Sequence, residues 1–327
     1  MAGDKQSPCD ASQSPGCGDH AAPDGQQRTT RAFLVGCERP GTTLLQSLLA
    51  AHRNVHSIPE THFVKQLFRN EPLPADRGTQ RSWPSRVLRI LHARRRDLMA
   101  RAGWIGARNA AAAWREVEGQ AVKPASAWCR HSARAHMQCF ASTMDRACHR
   151  AGKRVWIEKT PEHLFYVGLI QRHVPGVRFI HIVRDGTEVV ASLNRLAVQY
   201  PNWRRYADPT VAVDRWNQAW RETLRWVDCP GHLVVRYEAL QCAPQRTLAA
   251  ILTFLGCDPD ERVWAQYPEV ARGLIRDDEP WKKGNLQSLR DCRKFAYTFD
   301  ASTQATIRQA LDEPDWNTLS RLRGVIG

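Results

Sequence analysis

The segment from Ala32 to Thr61 constrains the fold of this chain more than any other stretch. The four apolar residues from Ala32 to Val35 are long enough for one buried strand. A turn rich in glycine and proline follows, and Thr42 then opens a segment with leucines at helical spacing, Leu44, Leu45, Leu48 and Leu49. A strand, a glycine turn and a helix in this order predict an anion-binding loop. Gly41 lets the backbone approach an anion closely, and the first N–H groups of the helix point at it.

The spacing of this turn resembles a Walker A loop, Gly-x-x-x-x-Gly-Lys-Ser/Thr, with one departure. Thr42 stands where the lysine of that loop should be. The lysine reaches the β- and γ-phosphates of a nucleoside triphosphate, so its replacement argues against ATP or GTP as the ligand. Arg39, inside the turn, supplies a basic group that can fork onto a phosphate or a sulfate. The P-loop-like turn is therefore predicted to bind a shorter phosphoanhydride.

The residues of the turn resemble the 5′-phosphosulfate loop of sulfotransferases that use 3′-phosphoadenosine 5′-phosphosulfate (PAPS) as sulfuryl donor. The usual form of that loop is Pro-Arg-Ser-Gly-Thr-Thr/Ser. Glu38 replaces the usual proline here, and it puts a negative charge near an anion site unless its carboxylate faces away. The resemblance implies that the donor is held by Arg39, Pro40, Gly41, Thr42, Thr43 and Leu44.

Charge and composition narrow the classes of partner. The 327-residue chain has 47 lysine and arginine residues against 33 acidic residues, a net charge of +14. That excess suggests an anionic ligand, a nucleic acid or a membrane surface. No zinc-finger, homeodomain or RNA-recognition signature is present, so no nucleic-acid partner is expected. No apolar run reaches about 18 residues, so no membrane span is expected.

The cysteine pattern and the amino-terminal composition give two further predictions. The ten cysteines are scattered without a CxxC pair, which argues against a zinc ribbon or a thioredoxin-like site. They are predicted to be mostly reduced, which favours a cytoplasmic location. Residues 1–31 contain no Val, Ile, Leu, Phe, Trp or Tyr and are predicted to be a disordered tail.

Two candidates for acid–base chemistry follow a second predicted strand, which runs from Asn54 to Ile58. Glu60 and His62 stand just beyond it, where residues past the ends of parallel strands line a ligand crevice. The resemblance implies an acidic or histidine base at this place, and tyrosylprotein sulfotransferases have a Glu-Thr pair at a similar distance from the loop arginine. Glu60 is predicted to be the base and His62 the alternative. A helix cap is the non-catalytic interpretation of Glu60.

Two further predicted strands, residues 154–158 and 178–183, end in basic residues. Lys159 opens a Lys-Thr-Pro segment that resembles one in the family, and the resemblance implies that this lysine contacts the bridging oxygen of the donor. Arg184 and Ser192 are eight residues apart at a strand end and in the following helix. They resemble the pair that grips the donor's 3′-phosphate, which an arginine fork matches bidentately.

Two late motifs extend the resemblance. A fifth predicted strand, Leu233 to Arg236, leads to Tyr237, which resembles a tyrosine that approaches the adenosine; an ordinary core position fits equally. Lys282-Lys283-Gly284 resembles the basic-Lys-Gly loop that closes over the 3′-phosphate, which implies Lys283 and Gly284 as donor contacts. A solvated charged loop is the alternative for this segment.

The fold prediction is an α/β sandwich in which about five parallel strands alternate with helices. Residues 32–327 are predicted to form the sulfotransferase domain. Residues 64–150 show amphipathic helical periodicity and many arginines, and they are predicted to be a helical insert that caps the crevice and shapes the acceptor site.

The resemblance implies transfer of a sulfuryl group from PAPS to a hydroxyl or amine of an unidentified small-molecule or peptide acceptor, with PAP as product and no metal. Glu60 or His62 would take the acceptor proton, and Arg39 and Lys159 would stabilise the leaving oxygen. One alternative is a P-loop kinase, with Asp185 on magnesium as in a Walker B strand. Another is a catalytically silent nucleotide-binding protein.

Overall fold

A computed structural model describes residues 29–68, 105, 107–118, 132–277, 279–282 and 294–327. Within these residues, six strands form one parallel sheet in the order β2-β3-β1-β4-β5-β6. Their bounds are β1 Thr30–Gly36, β2 Val55–Ser57, β3 Val155–Lys159, β4 Val177–Val183, β5 His232–Arg236 and β6 Val325–Ile326. The predicted parallel α/β fold and its five strands are confirmed. The two residues of β6 are too few to show a pattern in the sequence.

Helices cover both faces of the sheet. One face packs against α1 Thr42–Ala50, α8 Tyr237–Cys242, α9 Pro244–Leu255 and α10 Val263–Leu274. The other face packs against α2 Phe63–Leu67, α3 Ala107–Glu118, α4 Ala133–Arg150, α5 Val167–His173, α6 Gly186–Gln199, α7 Pro209–Leu224, α11 Lys294–Thr298, α12 Ala301–Ala310 and α13 Trp316–Leu319. Two 3₁₀ helices, Pro161–Tyr166 and Pro201–Ala207, start at prolines.

Strand β1 shows why the sequences of the central strands are unbroken apolar runs. Ala32 and Leu34 belong to the core on the α1 side, while Phe33 and Val35 belong to the core on the opposite side. A parallel strand covered on both faces buries every side chain, so its apolar residues do not alternate with polar ones. All the strands end at the same edge of the sheet, and the segments that follow them lie there.

The predicted boundary of the amino-terminal tail is wrong by two residues. Strand β1 begins at Thr30, whose N–H donates to the carbonyl of Arg154 at 2.9 Å. The guanidinium of Arg31 pairs with Asp145 through Nη2 at 2.7 Å and Nε at 3.2 Å. Both strand residues are polar and gave no apolar signal. The rest of the predicted tail, residues 1–28, lies outside the described residues.

The described parts of the predicted insert are helical, but α4 supports the core of the domain instead of capping the crevice. Its Phe140 stacks on Phe63 with ring centroids 4.4 Å apart and meets Trp156 of β3 edge-on at 6.3 Å. Met137 and Met144 of the same helix are fully buried. Because these positions recur at helical spacing, one whole face of α4 packs into the sheet core.

The cysteines mostly agree with the sequence prediction. Free thiols are found at Cys37, Cys139, Cys148, Cys242 and Cys257. Cys229 is disulfide-bonded and departs from that prediction. None of the helices in the described ranges is long and apolar enough to cross a membrane. The cytoplasmic location stays a prediction.

Candidate active site

A cavity of about 520 Å³ opens where the segments after the strands meet. Nine of the residues predicted for the site line it: Arg39, Gly41, Thr42, Thr43, Leu44, Glu60, His62, Arg184 and Tyr237. Lys159 and Ser192 lie directly behind this lining, bonded to Glu60 and Arg39 respectively. Pro40 is buried and is not part of the lining. Lys283 and Gly284 lie outside the described residues.

The predicted anion-binding loop has the backbone that such a loop requires. Arg39 and Gly41 both adopt the left-handed region, with φ of 69° and 98°. Gly41 precedes α1, and no described side chain caps that helix, so its first N–H groups are available to a ligand. A Cβ at Gly41 would overlap the ring of Tyr237, so this position accepts only glycine. Tyr237 packs in the core and also lines the cavity.

Two arginines and a serine form a cationic corner beside this loop. Nε of Arg39 donates to Oγ of Ser192 at 3.4 Å. Arg184 lies over the ring of Tyr237 at 4.8 Å and pairs with Glu188 at 3.4 Å. Burial, and then the nearby charge of Arg184, lower the pKa of Arg39 to about 10. Because two guanidinium groups repel each other here, the corner is suited to an anion of more than one charge.

Glu60 lies at the centre of a buried ion cluster. Its Oε1 accepts bonds from Nζ of Lys159 and from Nζ of Lys282, the latter at 2.7 Å. Nζ of Lys282 also donates to Oε1 of Glu279. The imidazole Nε2 of His62 is 3.5 Å from Oε2 of Glu60. The cap interpretation of Glu60 is wrong, because α2 follows His62 and the Glu60 carboxylate is bonded to the two lysines.

The charges of this cluster set the proton affinity of its members. Burial alone would raise the pKa of Glu60, but the ammonium groups of Lys159 and Lys282 hold it well below its usual range. Burial, and then the like charge of Lys282, lower the pKa of Lys159 to about 8, although the carboxylate of Glu60 acts in the opposite direction. Burial also lowers the pKa of His62, so its imidazole is neutral near pH 7 and can accept a proton.

Two lysines supply positive charge in this part of the cavity. Glu60, His62 and Glu279 bring one polar atom each within 4.8 Å of one another, close enough to surround a cation. The cations bonded there are the ammonium groups of Lys159 and Lys282. Asp185, which the kinase alternative assigns to magnesium, instead caps α6 by accepting from the N–H of Glu188 at 3.2 Å.

Glu158, which was not among the predicted site residues, holds the segments after β2 and β3 in place. Only 1% of its surface is exposed. Its Oε1 accepts from the hydroxyls of Thr61 at 2.8 Å and Thr160 at 2.7 Å, and its Oε2 bonds Nδ1 of His163 at 2.8 Å. Glu60 and Lys159, which neighbour these residues, are thereby fixed relative to each other. The feature of the sequence that could have identified Glu158 is an acidic residue within an otherwise apolar strand.

The carboxylate of Glu38 is neutralised by a partner. Arg215 donates to it from Nε at 2.8 Å and from Nη2 at 2.9 Å, and the hydroxyl of Tyr206 donates at 3.3 Å. Burial would raise the pKa of Glu38, but the guanidinium of Arg215 lowers it to about 2. The unfavourable charge anticipated at this position is therefore balanced inside the protein.

The late segment 279–282 contributes cavity residues that were not predicted. Lys282 and Glu279 join the ion cluster. The resemblance implied Lys283 as the site lysine of this segment, whereas the lysine that the structure places in the cavity is Lys282. Trp281 meets Trp203 edge-on at 5.8 Å, and both rings line the cavity. An isolated tryptophan beside two lysines gives no periodic signal, so the sequence could not place these side chains.

The comparisons with known proteins agree on one family. A model of the sulfotransferase family matches residues 32–261. A Caenorhabditis briggsae protein named "Putative protein-tyrosine sulfotransferase" is 23% identical over 282 residues, which cover 86% of this chain and 84% of that protein.

Solved structures share the fold. The "Sulfotransferase Domain from the Curacin Biosynthetic Pathway" aligns with a TM-score of 0.52 at 18% identity, over 88% of this chain and 100% of that one. The sulfotransferase domain of the Synechococcus PCC 7002 olefin synthase aligns with a TM-score of 0.50 at 21% identity, over 89% of this chain and 98% of that one. With the family match over residues 32–261, the chain belongs to the sulfotransferase family and is an enzyme of sulfuryl transfer.

Proposed function

We propose that this protein transfers the sulfuryl group of PAPS to a hydroxyl or amine of its acceptor. The observation that carries the donor assignment is the cationic corner of Arg39, Arg184 and Ser192 beside a loop that has Thr42 in place of the Walker lysine. The loop suits one phosphosulfate, and the corner suits a second anionic group on the same nucleotide.

The residues of the cavity fit such a donor. A volume of about 520 Å³ lies within the range of roughly 300–1,000 Å³ common for small-molecule sites. Gly41 lets the Tyr237 ring pack directly against the loop backbone, and the loop itself lines the cavity. The same Tyr237 ring lines the cavity and offers an aromatic group of the kind that a purine contacts.

The roles of the side chains follow from the proton that leaves the acceptor and from the negative charge that develops on the bridging oxygen of the donor. Glu60 takes the acceptor proton while the acceptor atom forms its bond to sulfur and the bond from sulfur to the bridging oxygen breaks. Lys159, Arg39 and the amino end of α1 stabilise the negative charge that appears on that oxygen. The products are the sulfated acceptor and PAP, with the proton on Glu60. His62 is the alternative base.

Lys159 has two uses in this scheme. Its ammonium group is bonded to Glu60 in the structure, where it lowers the basicity of that carboxylate. An ammonium that turns towards the leaving oxygen gives up part of this bond. Glu60 then becomes a better base at the moment when the acceptor proton has to leave.

The acceptor is a small molecule or a peptide. The aromatic walls formed by Trp203 and Trp281 lie in the same cavity as Glu60 and can contact an acceptor. The name of the nematode relative puts a tyrosine-containing peptide among the acceptors to test first.

Calorimetry in EDTA with PAP, AMP and ATP tests the donor assignment. We expect PAP to bind more tightly than AMP or ATP without magnesium. Equal affinity for PAP and AMP would overturn the 3′-phosphate assignment. Magnesium-dependent turnover of ATP would favour the kinase alternative.

Incubation with PAPS labelled in its sulfuryl group, together with a metabolite extract of the source organism, tests the transfer itself. The mass of a labelled product identifies the acceptor. Tight PAP binding without any labelled product would indicate a catalytically silent nucleotide-binding protein.

A further inference from the structure

Lys282 reaches the active site with a contact that the family resemblance does not assign to it. Its motif resembles a loop that closes over the 3′-phosphate of the donor. In the structure its ammonium group is buried and donates to Oε1 of Glu60 at 2.7 Å and to Oε1 of Glu279. Glu279 is itself buried and lies three residues earlier in the same turn.

We propose that Lys282, anchored by Glu279, is a positioning residue for the base Glu60 and does not bind the 3′-phosphate of the donor. The role in catalysis rests on the sulfuryl transfer proposed above. If Lys282 turned to the nucleotide, its ammonium group would separate from two buried carboxylates at once. Glu60 would keep Lys159, but Glu279 would lose the ammonium group that it is paired with here, and an unpaired buried carboxylate is strongly unfavourable. Lys159 differs, because Glu60 keeps its second ammonium partner, Lys282, when Lys159 turns to the donor.

Lys282 therefore keeps Glu60 oriented throughout the reaction, and ionised until it takes the acceptor proton. The groups that face Glu60 come from four segments: Lys159 at the end of β3, Lys282 and Glu279 on the late turn, His62 on its own segment, and Arg39 on the anion-binding loop. Both lysines bond the same oxygen, Oε1. If Lys159 turns away, Lys282 is the ammonium group that still holds the carboxylate.

The direction in which the pKa of Glu60 changes when this ammonium group is removed can be predicted. Without a neighbouring cation, a carboxylate holds its proton to higher pH. We expect the titration midpoint of Glu60 in Lys282→Met to rise by about one pH unit or more, which is the usual effect of one close opposite charge. Glu279→Gln, which weakens the anchor of Lys282, should move the midpoint in the same direction by less. Binding of PAP relative to AMP should change by less than about threefold, since no phosphate contact is lost.

The experiment uses the full chain with ¹³C-labelled glutamate side chains, and the resonance that disappears in Glu60→Gln identifies Glu60. Its titration by NMR is followed in wild type, Lys282→Met and Glu279→Gln, and PAP and AMP binding are measured on the same samples. Lys153→Met is the matched control, because Nζ of Lys153 bonds the carbonyl of Val55 at the opposite edge of the sheet. Thermal unfolding verifies that each variant is folded, and Glu279→Gln carries the test if Lys282→Met does not fold.

An upward shift of the Glu60 midpoint with an unchanged preference for PAP supports the proposal. An unchanged midpoint, or a loss of the preference for PAP over AMP in Lys282→Met, overturns it. A wild-type protein that does not prefer PAP would instead contradict the proposed function, and the titration would still decide whether Lys282 acts on Glu60.

Discussion

Arg215 on α7 forks onto the carboxylate of Glu38 in the anion-binding loop, with Nε to Oε2 at 2.8 Å and Nη2 to Oε1 at 2.9 Å. The two residues are 177 positions apart in the chain, and both are largely buried. The pair ties the residue before Arg39 to a helix that packs in the core. Arg39 is thereby presented to the cavity from a fixed backbone, in the left-handed conformation that few residues other than glycine adopt.

Breaking this pair from one side should destabilise the fold. Arg215→Met leaves a buried carboxylate without its partner, and we expect a loss of about 3–5 kcal/mol in the free energy of unfolding. The double variant Glu38→Gln/Arg215→Met removes the stranded charge and should be more stable than Arg215→Met alone. Urea denaturation near neutral pH measures both, and equal stability of the single and double variants would contradict the assignment.

The same pair predicts a pH dependence of stability. The pKa of Glu38 is about 2 in the folded protein, below the ordinary value of about 4.3 expected in the unfolded chain. The folded state therefore binds this proton less readily, and the stabilisation is complete above about pH 4.3 and is lost as the pH falls towards 2. Unfolding free energies measured across this range should fall less steeply in Glu38→Gln than in wild type. Identical slopes would mean that Glu38 does not titrate in this way.

Gly41→Ala should weaken donor binding. A methyl group at this φ of 98° meets the Tyr237 ring, so the loop has to move away from its anion-binding geometry. We expect PAP affinity to fall by about tenfold or more, because left-handed backbone alone costs other residues roughly 1–2 kcal/mol. The control is Gly152→Ala, which has a φ of 67° but no described atom within 4 Å of its added methyl. It should lose stability without losing PAP affinity, and equal PAP affinity in both variants would argue against the loop as the donor site.

Arg184→Ala should lose the 3′-phosphate contact. Hydrogen bonds to charged groups contribute about 1.5–3 kcal/mol, so we expect PAP affinity to drop by about 10- to 150-fold. AMP affinity and the acceptor KM should change little. The exposed Arg262, paired with Asp260 at 2.9 Å, is a matched surface control as Arg262→Ala. Unchanged PAP binding in Arg184→Ala would mean that the 3′-phosphate lies elsewhere.

Glu60→Gln should separate binding from chemistry. The amide keeps the shape of the side chain but cannot take the acceptor proton, so kcat should fall by roughly 10²–10⁴-fold while PAP still binds. His62→Asn should have the smaller effect, and steady-state kinetics of both variants gives the ranking. The opposite ranking would assign the base to His62. Full activity in both variants would mean that the acceptor needs no base, as expected for an amine or an ionised phenol.

Local sequence determined the elements and the anion-binding loop. The apolar run of Ala32 to Val35, the turn to Gly41 and the leucines of α1 specify strand, turn and helix through contacts between near neighbours. The conformation of the loop follows from backbone chemistry, since glycine adopts the φ of 98° found at Gly41 without strain. The parallel sheet could be predicted for the same reason, because strands separated by helices leave few other arrangements.

Tertiary structure decided which charges meet. Glu60 is 99 positions from Lys159 and 222 from Lys282 in the chain. No local sequence motif spans such separations, so the sequence does not show that these residues meet. The sheet order places β2 beside β3, which brings Glu60 next to Lys159. Charged residues are common at helix starts and in loops. The sequence therefore shows which charged residues could belong to the site, but not which of them form ion pairs. A buried charge needs a partner at hydrogen-bond distance, and only the packed chain determines which one it has.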